Sequence, residues 1–396
     1  MAGVFDRLVG QEAVESELTA AAVAARRGVE AGSGMTHSWL FTGPPGSGRS
    51  IAALCFAAAL QCTNEGTPGC GRCHACTTTM AGTHGDVRRV IPEGLSISVK
   101  EMRGYVSIAA RKPSTGRWQV VVIEDADRLT EGAANALLKV VEEPPVRTVF
   151  LLCAPSVDPE DISVTLRSRC RHVHLVTPGV EAIASVLREH DGLDETLARW
   201  AASVSGGHVG RARRLATDDE ARSRRMRALG IAGAAAGSDR GFEAAEDLVK
   251  SAEAEANAMS AARDERETDE LKTALGAGGT GKGTAGALRG SVGVIRDLEK
   301  RQKSRATRTS RDSLDRALMD LAGLYRDALA ASFGALTTPT HPDLADEARA
   351  MAKRASSEKL LRCIEAILEC REAIDLNVKP KYAVAAMVAV LGQAVR

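Results

Sequence analysis

The stretch from His37 to Ser50 constrains this chain most: a short apolar strand runs into a glycine-rich turn and then into a helix. Gly43, Gly46 and Gly48 let the backbone turn tightly and point its N–H groups inward, and the positive end of the following helix adds to the same point. The order G-x-x-x-x-G-K-[ST] is complete except that Arg49 stands where the pattern has lysine, while Ser50 keeps the hydroxyl suited to Mg²⁺. Gly43, Pro44, Gly46, Ser47, Gly48, Arg49 and Ser50 are therefore the candidate nucleotide-binding residues, with ATP and Mg²⁺ as the expected ligand. A second glycine-rich stretch, from Gly276 to Thr284, imitates the same pattern. Glycine follows its Lys282 where Ser or Thr belongs, and no apolar strand precedes it, so it reads as a linker.

Behind the first loop come Cys62, Cys70, Cys73 and Cys76, with gaps of seven, two and two residues. Tetrahedral Zn²⁺ needs four convergent thiolates, and each Cys-x-x-Cys pair places two sulfurs on one tight turn. These four are the candidate ligands of a structural zinc. His74 lies between them, but four thiolates already complete a closed shell; the competing reading is four free thiols in a loop.

Around these sites, apolar strands alternate with helices, which implies a parallel sheet covered on both faces. Arg117 to Asp127 reads as a buried apolar strand ending in acidic residues, Glu124 and Asp125 among them, and acidic residues at the carboxyl end of such a strand sit where ligands bind. Thr130 caps a helix that Pro144 and Pro145 stop, and Thr148 to Ala154 is another buried strand. From Pro178 onward the pattern is helical. The expected division is a core over 1–178 containing the cysteine insert (62–76), a helical lid over 179–240, a helical insertion with a glycine-rich linker over 241–311, and a helical domain over 312–396. Lys300, Arg301, Lys303, Arg305, Arg308 and Arg311 form a basic run that reads as a solvated face before it reads as a nucleic-acid patch.

At 396 residues the chain is long enough for two or three cores, and its formal net charge of +1 gives no global pull toward nucleic acid or membrane. Aromatic residues make up 3% of it, which leaves little for base-stacking platforms. No apolar run reaches the roughly 18 residues of a membrane span and no basic leader opens the chain, so a cytoplasmic protein with reduced thiols is expected.

Four motifs together resemble one family, the clamp-loader branch of the AAA+ ATPases. They are Val9, Gly10 and Gln11; the loop Gly43 to Ser50 with its four-cysteine insert; Asn135 to Lys139 running into Glu142, Glu143, Pro144 and Pro145; and Thr165 to Cys170. The resemblance implies an α/β AAA+ nucleotide-binding core with a parallel sheet, a helical lid, and an all-α collar through which five subunits join in a ring. Val9 is implied to border the nucleotide. The implied partners are clamp-loader subunits of the gamma/tau and delta kinds, the sliding clamp indirectly, and primer-template DNA, with no membrane.

Departures from active members of that family bear on chemistry. Arg49 replaces the lysine, Glu124 and Asp125 reverse the usual Asp-Glu order, and Gly210 stands where the lid of an active member aims an arginine at phosphate, Arg211 coming one place late. In-line attack on phosphorus tolerates little misplacement. The expectation is a subunit that turns ATP over slowly or not at all; the alternative is an ATP-hydrolysing motor of the gamma/tau kind. Ser168, Arg169 and Cys170 are intact, and the resemblance implies that Arg169 reaches a neighbouring subunit's nucleotide in trans.

Overall fold

The structure, a computed structural model, describes residues 3–27, 34–235, 238–275 and 292–395. The linker read over Gly276 to Thr284 lies outside the described residues, as do Gly32 and Ser33 of the loop before the first strand. The chain divides into two compact units, Met1–Arg213 and Arg214–Arg396.

The first unit is built on a five-stranded parallel sheet: β1 (Ser38–Thr42), β2 (Val87–Val90), β3 (Gln119–Ile123), β4 (Thr148–Ala154) and β5 (Arg171–His174), in the spatial order β2-β3-β4-β1-β5. Residue alternation explains why both faces are covered. Trp39, Phe41, Val120, Val122, Leu151 and Cys153 face one layer, packed with α1 (Glu12–Arg27) and α2 (Arg49–Gln61). Leu40, Val121, Ile123, Phe150 and Leu152 face the other, with Met102 of α4 (Val99–Ala109) and Leu137 of α5 (Glu131–Glu142); α3 (His74–Met80) belongs to the cysteine insert. Ser98 and Glu101 close a reciprocal capping box on α4, and the Thr130 side chain accepts from Ala133 N–H to start α5, the cap read from sequence. A one-turn helix α6 (Val164–Arg167) leads into β5, and α7 (Val180–Asp191), α8 (Glu195–Ser203) and α9 (Val209–Thr217) follow.

The second unit is wholly helical: α10 (Asp219–Ala234), α11 (Ser238–Ala274), α12 (Val292–Ser332), α13 (Ala345–Arg354), α14 (Ser357–Asp375) and α15 (Pro380–Val395). Its core joins Leu229, Leu314, Leu318, Tyr325, Ile367 and Leu391, and it includes Cys363 and Cys370 as buried thiols. The expected boundaries differ here. α12 runs uninterrupted through the 311/312 division, and α11 contributes Ala245, Val249 and Ala252 to the same core, so 241–311 is not set apart from the C-terminal helices. The compact units divide at Arg213 rather than at 178 or 240. The physical reason is helix length: two helices of 37 and 41 residues each bury one part of their length in the core and carry charged residues over the rest. Within that charged part Arg305 is bound by Asp264 and Glu267 at 2.5 and 2.6 Å, and Arg308 pairs with Asp312, so part of the basic run is tied up in ion pairs.

Candidate nucleotide site and cysteine cluster

Parallel pairing places the carboxyl ends of β1, β4 and β3 side by side, and the phosphate loop and the acidic pair leave from them. Gly46 and Gly48 have φ of +92° and +90°, the left-handed region that glycine enters without strain, and Gly48 caps α2 without a side chain. The first-turn amides of α2 thus have no intrahelical acceptor and no capping group. Ser47 is 2% exposed, yet among the described residues its Oγ has no hydrogen-bond partner, and Arg49 Nη1 is likewise buried without one. Two orphaned polar groups beside an open helix N-terminus are what a phosphate would satisfy, so the residues present fit a nucleotide. Gly46, Ser47, Gly48, Arg49 and Ser50 line a cleft of about 990 Å³ together with Val9, Pro178, His190, His208 and Arg213. Gly43 N–H donates to the Pro155 carbonyl at 3.1 Å, and Ser47 N–H to the Pro44 carbonyl at 3.1 Å, which fixes the loop.

Gln11 holds the loop from behind: its Nε2 donates to the carbonyls of Ser47 at 3.3 Å and Val176 at 2.6 Å, and its Oε1 accepts from Val176 N–H at 3.3 Å. The motif at Val9 is thus a staple between the loop and the segment after β5. Glu124, at the end of β3, is bound by Arg89 of β2 at 2.6 Å. Cys153 on β4 lies among these groups. Burial pushes its thiol well above the ordinary range, against the Arg49 charge and a hydrogen bond with Ser50, and Glu124 and Asp125 push it the same way as burial.

Three residues at this site escaped sequence reading. Cys153 looked like a core residue of a buried strand. Asp127 closes the acidic end of that strand in the sequence without standing out as a site residue; its carboxyl is pushed above the usual range, by burial first and by Asp125 next. His208 is packed on the loop itself: a methyl group at Gly46 would stand 2.9 Å from His208 Cβ and 3.0 Å from its Cα. Its Nδ1 accepts from Arg211 N–H at 3.2 Å, and Gly210 lies against its ring. Arg213 is held by Asp191 at 2.8 Å.

The four cysteine sulfurs lie within 4.8 Å of one another. Tetrahedral Zn²⁺ at about 2.3 Å from each sulfur requires separations of about 3.8 Å, so the donor set fits that ion. Cys73 caps α3 by accepting from Cys76 N–H, and Cys70 accepts from Cys73 N–H, each at 3.4 Å. For Cys73 burial opposes ionisation, but hydrogen bonds from Thr63 and Cys76 outweigh it and draw the thiol down to about 6. His74 is exposed and contributes no atom to the cluster. The insert also braces the cleft: the Gly69 carbonyl accepts from Val4 N–H at 2.8 Å, while Cys55 Sγ of α2 donates to the Val4 carbonyl at 3.0 Å, fixing the segment that leads to Val9.

Arg169 sits elsewhere. Its guanidinium contacts Glu142 at 2.6 Å, the Thr165 carbonyl at 2.9 Å and Ser168 Oγ at 3.2 Å, and it is partly exposed. Ser168 Oγ donates to the Thr165 carbonyl at 3.0 Å. The register pairs Trp39, near the start of β1, with Arg171, the first residue of β5, so Arg169 lies in the turn entering that end of the sheet, while the loop leaves from the other end of β1. β1, five residues long, separates the two ends, roughly 17 Å at about 3.3 Å per residue.

A five-stranded parallel sheet in this order, with a phosphate loop after its first strand, an acidic pair across β4 and a helical segment over the cleft, is an α/β core of the AAA+ type. Residues 26–178 match the family described as DNA polymerase III, delta subunit, and residues 310–380 match DNA polymerase III, delta subunit, C terminal. The chain belongs to this DNA polymerase III delta-type family. It is 36% identical to the DNA polymerase III subunit delta' of Pseudomonas aeruginosa over 45% of this chain and 55% of the relative. It is 32% identical to the gamma/tau subunit of Mycobacterium tuberculosis over 42% of this chain and 28% of that one. The matched region therefore spans about half the length of the delta' relative. A gamma subunit-related protein of Thermotoga maritima aligns over 91% of this chain and 95% of its own at 15% identity and a TM-score of 0.42; the fold assignment rests on the strand order instead. No described helix is long and apolar enough to cross a membrane.

Proposed function

We propose that this chain is the delta-prime, or stator, subunit of a DNA polymerase III clamp loader, a cytoplasmic assembly with gamma/tau and delta subunits that places a sliding clamp on primed DNA. In this reading it retains a nucleotide site of low turnover and lends Arg169 to a neighbouring motor subunit. The observation that carries the reading is the separation of two halves of one chemistry. The phosphate loop sits at one end of the sheet and Arg169, partly exposed, at the other. A guanidinium at the opposite end of the sheet from its own loop serves a phosphate held by another chain.

Low turnover follows from three features of the site. Arg49 presents a planar fork in place of a compact ammonium, Glu124 is already neutralised by Arg89, and the lid offers Gly210 with His208 packed on the loop. Zinc, held by Cys62, Cys70, Cys73 and Cys76, stabilises the insert that braces Val4 to Val9. The gamma/tau-type motor remains the second reading, favoured by the orphaned Ser47 and Arg49 groups that await a ligand. Steady-state ATP turnover by the purified chain, alone and mixed with motor and delta-type subunits, separates the two. The stator reading expects the chain alone to fall far below about 1 s⁻¹ while joining a multi-subunit assembly; turnover at or above that rate makes it a motor.

A further inference from the structure

At the end of the sheet opposite the phosphate loop, β1, β3 and β4 begin around a depression of about 720 Å³ lined by Arg26, His37, Arg117, Trp118, Val146 and Arg147. Among the described residues no carboxylate lines it. The side chains of Arg117 and Arg147 have neither a hydrogen bond nor an ion pair among the described residues. Arg89, Arg171 and Arg188, by contrast, are each held by a glutamate. Arg26 spends its donors on the Gly66 and Cys62 carbonyls, and its Nε is buried without a partner. Strand pairing brings Arg117 and Arg147 to the same edge of the sheet, since Gln119 N–H donates to the Arg147 carbonyl at 2.8 Å and Gln119 is in register with Thr148.

A second observation is independent of charge. Thr148 N–H donates to the Pro145 carbonyl at 3.0 Å and closes a turn with Val146 and Arg147 at its centre. Arg147 has φ of +61°, a conformation that such turns give to glycine or asparagine. Among the described residues the only other non-glycine there is Asn377, a residue that tolerates it. A long cationic side chain is thus kept at a strained position beside a second unpaired guanidinium, where repulsion adds nothing to folding.

We propose that this depression binds a phosphate oxyanion bridged by Arg117 and Arg147, carried either by a nucleic-acid backbone or by a free polyphosphate. Paired guanidinium forks match phosphate oxygens, and Arg26 adds a fixed positive charge behind them. His37 donates Nδ1–H to the Thr148 carbonyl at 2.8 Å, leaving Nε2 as its nitrogen for a ligand. Trp118 is 5% exposed and has no face open for a base, so the site reads charge and not sequence.

The test uses the full chain and the variants Arg117→Ala, Arg147→Gly and their double. Binding of a labelled mixed-sequence duplex is followed by anisotropy across a salt series, and binding of inorganic pyrophosphate by calorimetry. The phosphate loop is unchanged throughout, so the difference between wild type and double variant isolates the depression. The double variant is expected to bind at least one probe about tenfold more weakly, with a salt slope for duplex shallower by about 1 to 2 if the backbone is the source. Loss confined to pyrophosphate assigns the site to a free polyphosphate. Arg147→Gly is expected to melt at the same temperature as wild type or higher, because glycine relieves the turn. The proposal is overturned if neither probe binds the wild type, if the double variant binds both probes as wild type does, or if Arg147→Gly melts clearly lower.

Discussion

Arg169 Nε lies 2.6 Å from Glu142 Oε1, an ion pair joining the end of α5 to the turn before β5. It ties together the two motifs that are most specific in the sequence, the run from Asn135 to Pro145 and the run from Thr165 to Cys170. Both side chains are partly exposed, so the pair contributes between 0 and about 1 kcal/mol, and in the proposed trans role a phosphate from another chain would displace Glu142 at little cost. Glu142→Gln should change unfolding free energy by less than about 1 kcal/mol in denaturant titration. A loss of several kcal/mol would show that the pair holds the fold and does not keep an arginine in reserve.

The cysteine cluster predicts one zinc per chain by metal analysis. Single Cys→Ser variants at 62, 70, 73 and 76 should each lower that to near zero. Because Gly69 and Cys55 both grip Val4, chelation should loosen the segment up to Val9 as well, seen as faster amide exchange at Val4 to Gln11. Full zinc content in any of the four variants contradicts the ligand set.

Arg49→Lys restores the compact ammonium and removes a buried, unpartnered Nη1. Nucleotide affinity is expected to rise by about tenfold, a change of about 1.4 kcal/mol. Turnover is expected to stay low, because Arg89 still holds Glu124. Brisk hydrolysis in this variant would show that Arg49 alone limits the chemistry.

Asp86 anchors the loop before β3. Its carboxylate accepts from the N–H groups of Ser114, Thr115 and Gly116 at 2.6 to 2.7 Å and from two hydroxyls. Burial alone would raise its pKa, but these donors outweigh burial and hold it well below the usual carboxylate range. A depressed carboxylate stabilises the fold above its unfolded pKa of about 3.9, and that contribution is lost as pH falls from there through the folded value. Asp86→Ala should cost about 3 kcal/mol at neutral pH, and the difference from wild type should shrink when melting is repeated in acid.

Strands and caps were legible because each depends on neighbours in sequence. The alternation of Trp39, Leu40 and Phe41 between two layers follows from period two, and Ser98 and Thr130 announce helix starts by side chains that bond three residues ahead. The loop and the cysteine set were legible because glycine and thiol chemistry is specified at fixed spacing. His208, Cys153 and Asp127 were not, since their roles depend on which strand ends and lid segments meet, a consequence of tertiary packing. The division into compact units at Arg213 is not legible in the sequence for a related reason. Amphipathic period alone does not say which part of a long helix joins a core, and α11 and α12 each do so over only part of their length.

The separation of Arg169 from its own loop is the centre of the account, and ATP hydrolysis by a reconstituted assembly carrying Arg169→Ala tests it most directly. Zinc content, melting temperature and assembly by gel filtration should match wild type, because the side chain is partly exposed and its ion pair is weak. DNA- and clamp-stimulated turnover of the assembly should fall at least several-fold, the portion served by one trans arginine among several sites, where a fully exposed effect is worth about 10³ to 10⁵. An assembly that forms normally and hydrolyses ATP at the wild-type rate would contradict the account and leave Arg169 as a surface charge paired with Glu142.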